Sequence, residues 1–195
     1  MRSVAIYCSS SDGLPWVTQE LARNLGRLCA ERGVRIVYGG GARGLMGLVA
    51  HAAHQAGGSV CGFMLEALRG REGANVEIGE LHFVSSLEER KRSILGEAQA
   101  VIALPGGIGT LDELTQVLTL DDIGLARKPV CLCDTDGFWN PFFAMIEQFD
   151  AYGVIRPALK RDVMRAAGAA EALDRCAGAL AKAAPPLRQA ATVLG

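Results

Sequence analysis

The segment Ala103-Leu-Pro-Gly-Gly-Ile-Gly-Thr-Leu-Asp-Glu113 decides the fold of this chain. The mostly apolar residues 98–104 lead into it and predict a short buried strand. Residues 111–125 follow, with leucine and valine at helical spacing, and predict a helix. A strand, a glycine turn and a helix start make an anion site, because glycines let a ligand approach the backbone and the helix N-terminus presents free N–H groups. The sequence therefore predicts a phosphate site at this turn.

Two interpretations of Thr110 and Glu113 are open from the sequence alone. In the first, Thr110 donates its hydroxyl to the anion, and Glu113 holds a carboxylate beside it from the first helical turn. That arrangement suits chemistry on a phosphorylated small molecule. In the second, Thr110-x-x-Glu113 is a capping box, with Thr110 as the N-cap and Glu113 as a structural cap only. Gln serves a capping box about as well as Glu does, so the variant Glu113→Gln separates the two.

Composition narrows the class of protein. The chain has 195 residues, enough for one domain with a substantial core, and half of them are hydrophobic. A formal net charge of −1 argues against a broad, positively charged surface that would bind DNA or RNA. No apolar run approaches the roughly 20 residues that span a bilayer, and the first apolar segment is too short for a signal peptide. We therefore expect a cytoplasmic protein that binds neither nucleic-acid polymers nor membranes.

The six cysteines are expected to be free thiols, because no secretory signal accompanies them. Cys131-x-Cys133 places two sulfurs on one face of a predicted strand, but no second pair of metal ligands follows. We therefore expect no metal site.

Predicted strands and helices alternate along the chain. The strands cover residues 3–8, 34–38, 59–64, 81–84, 98–104, 129–133 and 161–165, and the helices cover residues 16–32, 44–56, 111–125, 138–149 and 169–184, with one more starting at 87. This alternation predicts an α/β fold: a Rossmann-like, doubly wound parallel sheet with helices on both faces. We expect one domain, residues 1–184, and a mobile C-terminal tail, residues 185–195.

Glycines and small polar residues follow three of the predicted strands. Ser9 begins a serine turn after the first strand, and Gly40 and Gly41 belong to a triple glycine after the second. Ligands of such folds bind at the carboxyl ends of the strands, so these turns and the glycine turn at 105–107 are expected to converge. The polar residues 65–79 are either a surface connection or a flap over the site.

Four motifs together resemble the LOG (Lonely Guy) family. They are Tyr38-Gly-Gly-Gly41, Gly44-Leu-Met-Gly47, Arg90-Lys91 and Pro105-Gly-Gly-Ile-Gly-Thr-Leu-Asp-Glu113. Members are cytokinin riboside 5′-monophosphate phosphoribohydrolases, many once labelled lysine decarboxylases. The resemblance covers residues 4–157. It implies hydrolysis of the N-glycosidic bond of a nucleoside 5′-monophosphate, a homodimer, and no cofactor.

The resemblance also implies roles for individual residues. Arg90 and Glu113 match the catalytic pair of the family. The resemblance also implies substrate binding by Glu72, Arg90, Lys91, Gly107, Ile108, Gly109, Thr110, Leu111, Asp112, Glu113 and Thr119. The turns at the strand ends add Ser9, Gly40, Gly41 and Gly106 as expected binding positions. The chain departs from the family pattern at Leu87-Glu88, at Gly70 and at residues 120–124, which leaves the preferred base open.

Two other functions compete with this one. A decarboxylase using pyridoxal phosphate needs a Schiff-base lysine, and Lys91 alone among the four lysines lies near the predicted site. A non-catalytic carrier of nucleotide or molybdenum cofactor has the same kind of fold and glycine turns, and needs the phosphate site but not Glu113.

Overall fold

A parallel sheet of seven strands runs through the part of the chain that the computed structural model describes, residues 1–183. The strand order is β4-β3-β2-β1-β5-β6-β7, and all six pairings are parallel. The strands are β1 (Ser3–Tyr7), β2 (Arg35–Tyr38), β3 (Val60–Leu65), β4 (Glu80–Val84), β5 (Ala100–Ala103), β6 (Val130–Cys133) and β7 (Val163–Ala166).

Helices cover both faces of this sheet. They are α1 (Trp16–Glu31), α2 (Gly44–Gln55), α3 (Arg69–Glu72), α4 (Leu87–Glu97), α5 (Ile108–Asp122), α6 (Asn140–Ala151), α7 (Pro157–Asp162) and α8 (Ala169–Lys182). Apolar side chains of α1, α2 and α8 pack on one face, and those of α4, α5, α6 and α7 pack on the other. The predicted fold class, a Rossmann-like α/β domain with a doubly wound sheet, is confirmed.

The central strands are buried on both faces, which explains why they read as continuous apolar runs. All residues of β1, β5 and β6 are buried. Val4 in β1 is in register with Ala100 in β5, and Tyr7 is in register with Ala103. With both faces covered by helices, these strands have no solvent side and therefore no alternation of polar and apolar residues.

The strand order reverses between β1 and β5. From β1 the chain adds β2, β3 and β4 in one direction, and it then returns to add β5, β6 and β7 in the other. The loops that leave β1 and β5 therefore diverge, and a crevice opens between them at the carboxyl ends of the strands. The serine turn and the glycine turn of the sequence are the two loops at this crevice.

Some predicted boundaries were wrong. The central helix begins at Ile108, three residues before the predicted start at 111, and the helix α7 was not predicted. The predicted strand 161–165 is instead β7, Val163–Ala166. Within the predicted loop 65–79, a 3₁₀ turn at Glu66–Leu68 leads into α3. The predicted tail, 185–195, lies outside the described residues.

Two expectations from composition have a structural counterpart. All six cysteines are buried and free, and burial raises the pKa of Cys29 and Cys133 to about 12. Among residues 1–183, none of the helices has both the length and the apolar character that crossing a bilayer requires.

Candidate active site

A cleft of about 390 Å³ lies at the crevice between β1 and β5. Five segments line it: the serine turn, the start of α2, the 3₁₀ turn Glu66–Leu68, the first turns of α4 and the first turns of α5. The lining residues are Cys8, Ser9, Ser10, Ser11, Met46, Leu68, Leu87, Arg90, Lys91, Gly107, Ile108, Gly109, Thr110, Asp112 and Glu113. The cleft thus brings together the two motifs that the sequence singled out, Arg90-Lys91 and the glycine segment ending at Glu113.

The N-terminus of α5 forms one wall of the cleft. Gly107 is its N-cap and provides no side-chain cap, and the first helical hydrogen bond runs from Leu111 N–H to the Gly107 carbonyl at 3.0 Å. The N–H groups of Ile108, Gly109 and Thr110 precede that bond, and a helix cannot satisfy such groups internally. They carry the positive end of the helix dipole, so this wall suits an anion.

Two glycines of this turn have no structural requirement to be glycine. A Cβ built at Gly107 or Gly109 would meet no protein atom within 4 Å, and neither residue has a positive φ. At Gly106, in contrast, a Cβ would lie 2.1 Å from the Thr110 hydroxyl oxygen. Gly106 is therefore needed for packing, whereas Gly107 and Gly109 leave open space in front of the helix. That space is what close approach of a ligand to the backbone demands.

The capping-box interpretation of Thr110 and Glu113 is wrong. Because α5 begins at Ile108, Thr110 is the third residue inside the helix and is buried, and the first turn contains no acidic residue. Glu113 is the sixth helical residue, in the second turn, and it is half-buried. Glu113 is therefore not a helix cap, and capping does not explain why its carboxylate lines the cleft.

Arg90 is buried beneath the cleft, with only 7% of its surface exposed. Its Nε donates to the Phe63 carbonyl at 2.9 Å, and its Nη2 donates to the Gly39 carbonyl at 2.8 Å. Both carbonyls belong to the ends of neighbouring strands, β3 and the residue after β2. The guanidinium is thus fixed at the carboxyl edge of the sheet, in the orientation that these two acceptors set.

The start of α4 is itself held by a cap. The Ser86 hydroxyl accepts from Glu89 N–H at 3.1 Å, and a Glu89 carboxylate oxygen accepts from Ser85 N–H at 2.9 Å. The hydrogen bonds that Ser85 donates to the Glu89 carboxylate, from its N–H and from its hydroxyl, lower the pKa of Glu89. The exchange resembles a capping box, which fixes the helix start and so the position of Arg90. The spacing Ser86-x-x-Glu89 is the sequence signal of this cap.

Charges in the cleft act on the end of β1. Burial raises the pKa of Tyr7, the negative charge of Glu113 raises it further, and the positive charge of Arg90 opposes that effect. Burial and the Glu113 charge likewise raise the pKa of Cys8. An ionised Glu113 and the Arg90 guanidinium therefore both lie close to the last residues of β1.

Lys91 and Asp112 form an ion pair across the cleft rim. Lys91 Nζ lies 3.0 and 3.1 Å from the two carboxylate oxygens of Asp112. The pair connects α4 to α5, the two helices that carry Arg90 and Glu113. Lys91 is thus in the cleft as an ammonium group, next to the open N-terminus of α5.

The second glycine turn differs from the first, because the N-terminus of α2 is already satisfied. Ser9 O accepts from Leu45 N–H at 2.9 Å, and Asp12 Oδ1 accepts from Gly44 N–H at 3.1 Å. Arg43 donates to the same carboxylate, and these hydrogen bonds lower the pKa of Asp12. The serine turn therefore caps α2, while Ser9 itself also lines the cleft.

Several predicted binding residues lie away from the cleft lining. The Gly40 carbonyl accepts a hydrogen bond from Asn75 N–H at 3.1 Å, and Gly41 forms an antiparallel β-bridge with Ala74. Both glycines therefore face residues 73–75. Thr119 is exposed, and its hydroxyl donates to the Thr115 carbonyl at 2.8 Å. Gly106 and Leu111 pack beneath the turn. Glu72 ends α3, and its side chain lies outside the described part of the structure. The binding roles of these six residues stay predictions.

The structure also identifies cleft residues that sequence reasoning did not include. Cys8, Met46, Leu68 and Leu87 line the cleft. Gly39 supports Arg90, because a Cβ there would lie 2.1 Å from Arg90 Nη2. Three consecutive glycines pointed to this turn, but the sequence does not distinguish which of them faces the arginine.

A possible metal-binding group lies elsewhere, at the β4 edge of the sheet. Among the described residues, Cys61, Glu80 and His82 have ligand atoms within 4.8 Å of one another. Arg35 lies 3.0 Å from the Glu80 carboxylate, and burial raises the pKa of Cys61. A cation already neutralises the one acidic ligand and the thiol favours its protonated form, so this group is poorly suited to a metal ion.

Comparison with known proteins identifies the family. A family model described as "Possible lysine decarboxylase" matches residues 46–176. The chain is 42% identical over 170 residues to the cytokinin riboside 5′-monophosphate phosphoribohydrolase LOG of Oryza sativa subsp. japonica, covering 87% of this chain and 70% of that protein. It is 40% identical to LOG7 of Arabidopsis thaliana, which carries the same enzyme name, over 87% of this chain and 78% of that protein.

Solved structures show the same fold at lower identity. The molybdenum cofactor binding protein from Rippkaea orientalis superposes with a TM-score of 0.71 at 19% identity, over 92% of this chain and 97% of that one. The Moco carrier protein from Chlamydomonas reinhardtii superposes with a TM-score of 0.69 at 21% identity, over 93% of this chain and 99% of that one. These likenesses concern the fold alone. The family model and the identity to the plant proteins together show that this chain belongs to the LOG family, as the four motifs had indicated.

Proposed function

We propose that this protein hydrolyses the N-glycosidic bond of nucleoside 5′-monophosphates, cytokinin riboside 5′-monophosphate or AMP, to the free base and ribose 5-phosphate. One observation carries the proposal: the open N-terminus of α5 and the Glu113 carboxylate lie in one cleft. The enzyme names of the plant relatives support it.

The spacing along α5 suits a ribose phosphate. Glu113 lies five positions after Ile108, which at 1.5 Å per residue is about 7.5 Å along the helix axis. Side chains of helical residues point back toward the N-terminus, so the Glu113 carboxylate reaches toward the amides. A ribose whose 5′-phosphate accepts hydrogen bonds from Ile108, Gly109 and Thr110 would therefore extend its anomeric carbon toward Glu113.

In the proposed reaction, the bond between the anomeric carbon and the base nitrogen breaks, and both electrons leave with the base. Positive charge develops on the ribose, and the fixed Glu113 carboxylate stabilises it and orients the attacking water. Water adds its oxygen to the anomeric carbon, and the departing base takes a proton from water. Binding of the remote phosphate positions the reacting carbon.

Arg90 is proposed to orient these groups. Its donations to the carbonyls of Phe63 and Gly39 fix the guanidinium at the carboxyl edge of the sheet, where Arg90 also lines the cleft. A guanidinium held in this way suits a carboxylate or a phosphate, which both accept paired N–H bonds. Lys91 adds positive charge beside the proposed phosphate position.

A pyridoxal phosphate reaction is not part of this proposal. Lys91 lies in the cleft, but its Nζ forms an ion pair with the Asp112 carboxylate at 3.0 Å, and a Schiff base at Lys91 would have to break that pair. The absorbance of bound pyridoxal phosphate in the purified protein would contradict the proposed function.

The deciding experiment measures base and ribose 5-phosphate release from AMP, cytokinin riboside 5′-monophosphate and a panel of other nucleotides. We expect release by the wild type, loss of about 100-fold or more in Glu113→Gln, and wild-type activity in Glu147→Gln, an exposed acid on α6. Binding of nucleotide without release by the wild type would instead identify a carrier. Full activity of Glu113→Gln would exclude the proposed role of Glu113.

We also propose that two copies of the chain associate at the rim of this cleft. Leu87 at the start of α4 is 45% exposed, and Ile108 at the start of α5 is 82% exposed. Burying such side chains is favourable by about 25 cal/mol per Å² of apolar surface. Sedimentation equilibrium of the wild type should give a dimer, and the double variant Leu87→Glu/Ile108→Glu should give a monomer. A monomeric wild type would contradict this.

A further inference from the structure

Tyr7 is a buried tyrosine with an unsatisfied hydroxyl. It is the last residue of β1, only 1% of its surface is exposed, and its hydroxyl has no hydrogen-bond partner within the described part of the chain. An unsatisfied buried hydroxyl costs free energy, and phenylalanine would fill the same space without that cost. The presence of the hydroxyl therefore requires a reason other than packing.

Tyr38 provides a comparison within the same sheet. It ends β2, it is in register with Ile6 of β1, and it is equally buried. Its hydroxyl accepts a hydrogen bond from Asn75 Nδ2 at 3.1 Å. The two tyrosines thus stand at neighbouring strand ends, and one of them has a structural partner while the other does not.

The side chain of Tyr7 lies on the sheet face that α4 and α5 cover. It packs in the same apolar cluster as Ile94 of α4 and Leu114 of α5. Arg90 precedes Ile94 by one helical turn, and Glu113 directly precedes Leu114. The next residue, Cys8, lines the cleft. The Tyr7 side chain therefore packs on the same face of the sheet as the two helices that carry the proposed catalytic pair, one residue before the cleft lining.

The electrostatics agree with this placement. The charges of Glu113 and Arg90 both act on the Tyr7 phenol, with opposite sign. Because burial and Glu113 together raise the pKa of Tyr7, the phenol stays protonated at neutral pH and keeps its O–H available to donate to a carboxylate. Other titratable or charged groups near this position are Cys8, which follows β1, and the Lys91–Asp112 pair at the rim.

We propose that the Tyr7 hydroxyl is a positioning residue for the reaction, one that donates a hydrogen bond to the Glu113 carboxylate in the substrate complex. This inference rests on the proposed function. In the complex, the donor fixes the carboxylate below the ribose and favours its ionised form. The cost of the unsatisfied hydroxyl in the free protein is then offset only when substrate is bound, a common trade of stability for activity.

The test compares Tyr7→Phe with the matched control Tyr38→Phe. For Tyr7→Phe we expect kcat to fall about 10- to 100-fold, the range for one hydrogen bond to a charged group, with little change in KM. We also expect the acid limb of its kcat profile to move up by about one pH unit, because Glu113 loses a donor that favours its charged form. Its Tm should rise by about 2–4 °C, since an unsatisfied buried hydroxyl is removed.

Tyr38→Phe should behave in the opposite way. It leaves the Asn75 amide without its acceptor, so we expect a lower Tm, with kcat and its acid limb unchanged. Wild-type kcat and an unmoved acid limb in Tyr7→Phe would overturn the proposal, as would a fall in its Tm, which would indicate a structural partner. Absence of base release by the wild type would instead overturn the proposed function, and the role of Tyr7 with it.

Discussion

Arg90 Nη2 donates to the Gly39 carbonyl at 2.8 Å, and a Cβ on Gly39 would lie 2.1 Å from that same nitrogen. The guanidinium therefore occupies the space that any side chain at position 39 would take. The glycine after β2 and the arginine of α4 are a matched pair, although 51 positions separate them.

Gly39→Ala should displace Arg90. Gly39 has no positive φ, so the backbone tolerates alanine and the clash with the guanidinium is the main effect. We expect kcat/KM to fall at least tenfold, and the free energy of unfolding to fall by about 1–3 kcal/mol, as for an overpacked core. Steady-state kinetics and urea unfolding measure the two quantities. Gly178→Ala, in α8 with open space around its Cβ position, is the control. Unchanged kinetics in Gly39→Ala would mean that the position of Arg90 is irrelevant.

Gly109→Ala should separate binding from stability. Alanine is favoured over glycine inside a helix by about 1 kcal/mol, and no protein atom obstructs a Cβ there. We therefore expect an equal or higher Tm together with a KM raised about tenfold or more, because the methyl group enters the space reserved for the phosphate. Isothermal titration with ribose 5-phosphate gives an independent affinity. Wild-type affinity would place the phosphate elsewhere.

Gly106→Ala should show the reverse pattern. Its Cβ would lie 2.1 Å from the hydroxyl oxygen and 2.6 Å from the Cβ of Thr110, both in the buried side chain beneath the turn. We expect a loss of about 1–3 kcal/mol in the free energy of unfolding, the usual cost of overpacking. Differential scanning calorimetry of Gly106→Ala beside Gly109→Ala is the measurement. Equal Tm values for the two variants would contradict the assignment of Gly106 to packing and of Gly109 to phosphate binding.

The Asp12 carboxylate should make stability depend on acid pH. Hydrogen bonds from Arg43 and from Gly44 N–H lower its pKa in the folded protein. A group with a lowered folded pKa contributes stability above its unfolded pKa, near 3.9, and that contribution is lost as the pH falls through the folded value. We expect the Tm advantage of the wild type over Asp12→Asn to shrink below about pH 4. Arg43→Gln should reduce the same advantage at pH 7, and a difference that is independent of pH would refute the pairing.

The Lys91–Asp112 pair should matter for substrate more than for folding. The Asp112 carboxylate is half-exposed, and such pairs contribute about 0–1 kcal/mol to stability. Asp112→Asn should therefore change Tm by less than about 3 °C but raise KM several-fold, because Lys91 loses the partner that holds it beside the phosphate position. Measuring KM at low and high salt tests this, since added salt should reduce the difference. A salt-independent KM would count against it.

Much of the fold could be predicted because the buried strands and amphipathic helices have distinct patterns. The start of α5 could not, since Gly107 and Gly109 are poor helix formers and the apolar spacing begins only at Leu111. The helix α7 was missed because only Leu159 of its six residues is buried, which leaves no periodic pattern. Local propensity does not register the tertiary contacts that set these boundaries.

For the site, the sequence indicated the correct segments but not the function of each residue. Arg90, Lys91 and the glycine segment to Glu113 do lie in one cleft. Of the three glycines after β2, it was Gly39 and not Gly40 or Gly41 that faces Arg90. In the sequence, Tyr7 is one residue of a predicted strand and belongs to none of the motifs. Burial and the hydrogen-bond state of a hydroxyl are properties of the folded chain, so neither can be read from a motif.

The capped N-terminus of α2 has a consequence for which nucleotides this protein can accept. Dinucleotides and nucleoside triphosphates carry several phosphates, and proteins that recognise them supply amides for more than one. Here the amides of Gly44 and Leu45 are occupied by Asp12 and Ser9, whereas the first amides of α5 make no bond within that helix. We therefore expect the cleft to favour mononucleotides over nucleotides with several phosphates, because one helix start is closed and its neighbour is open.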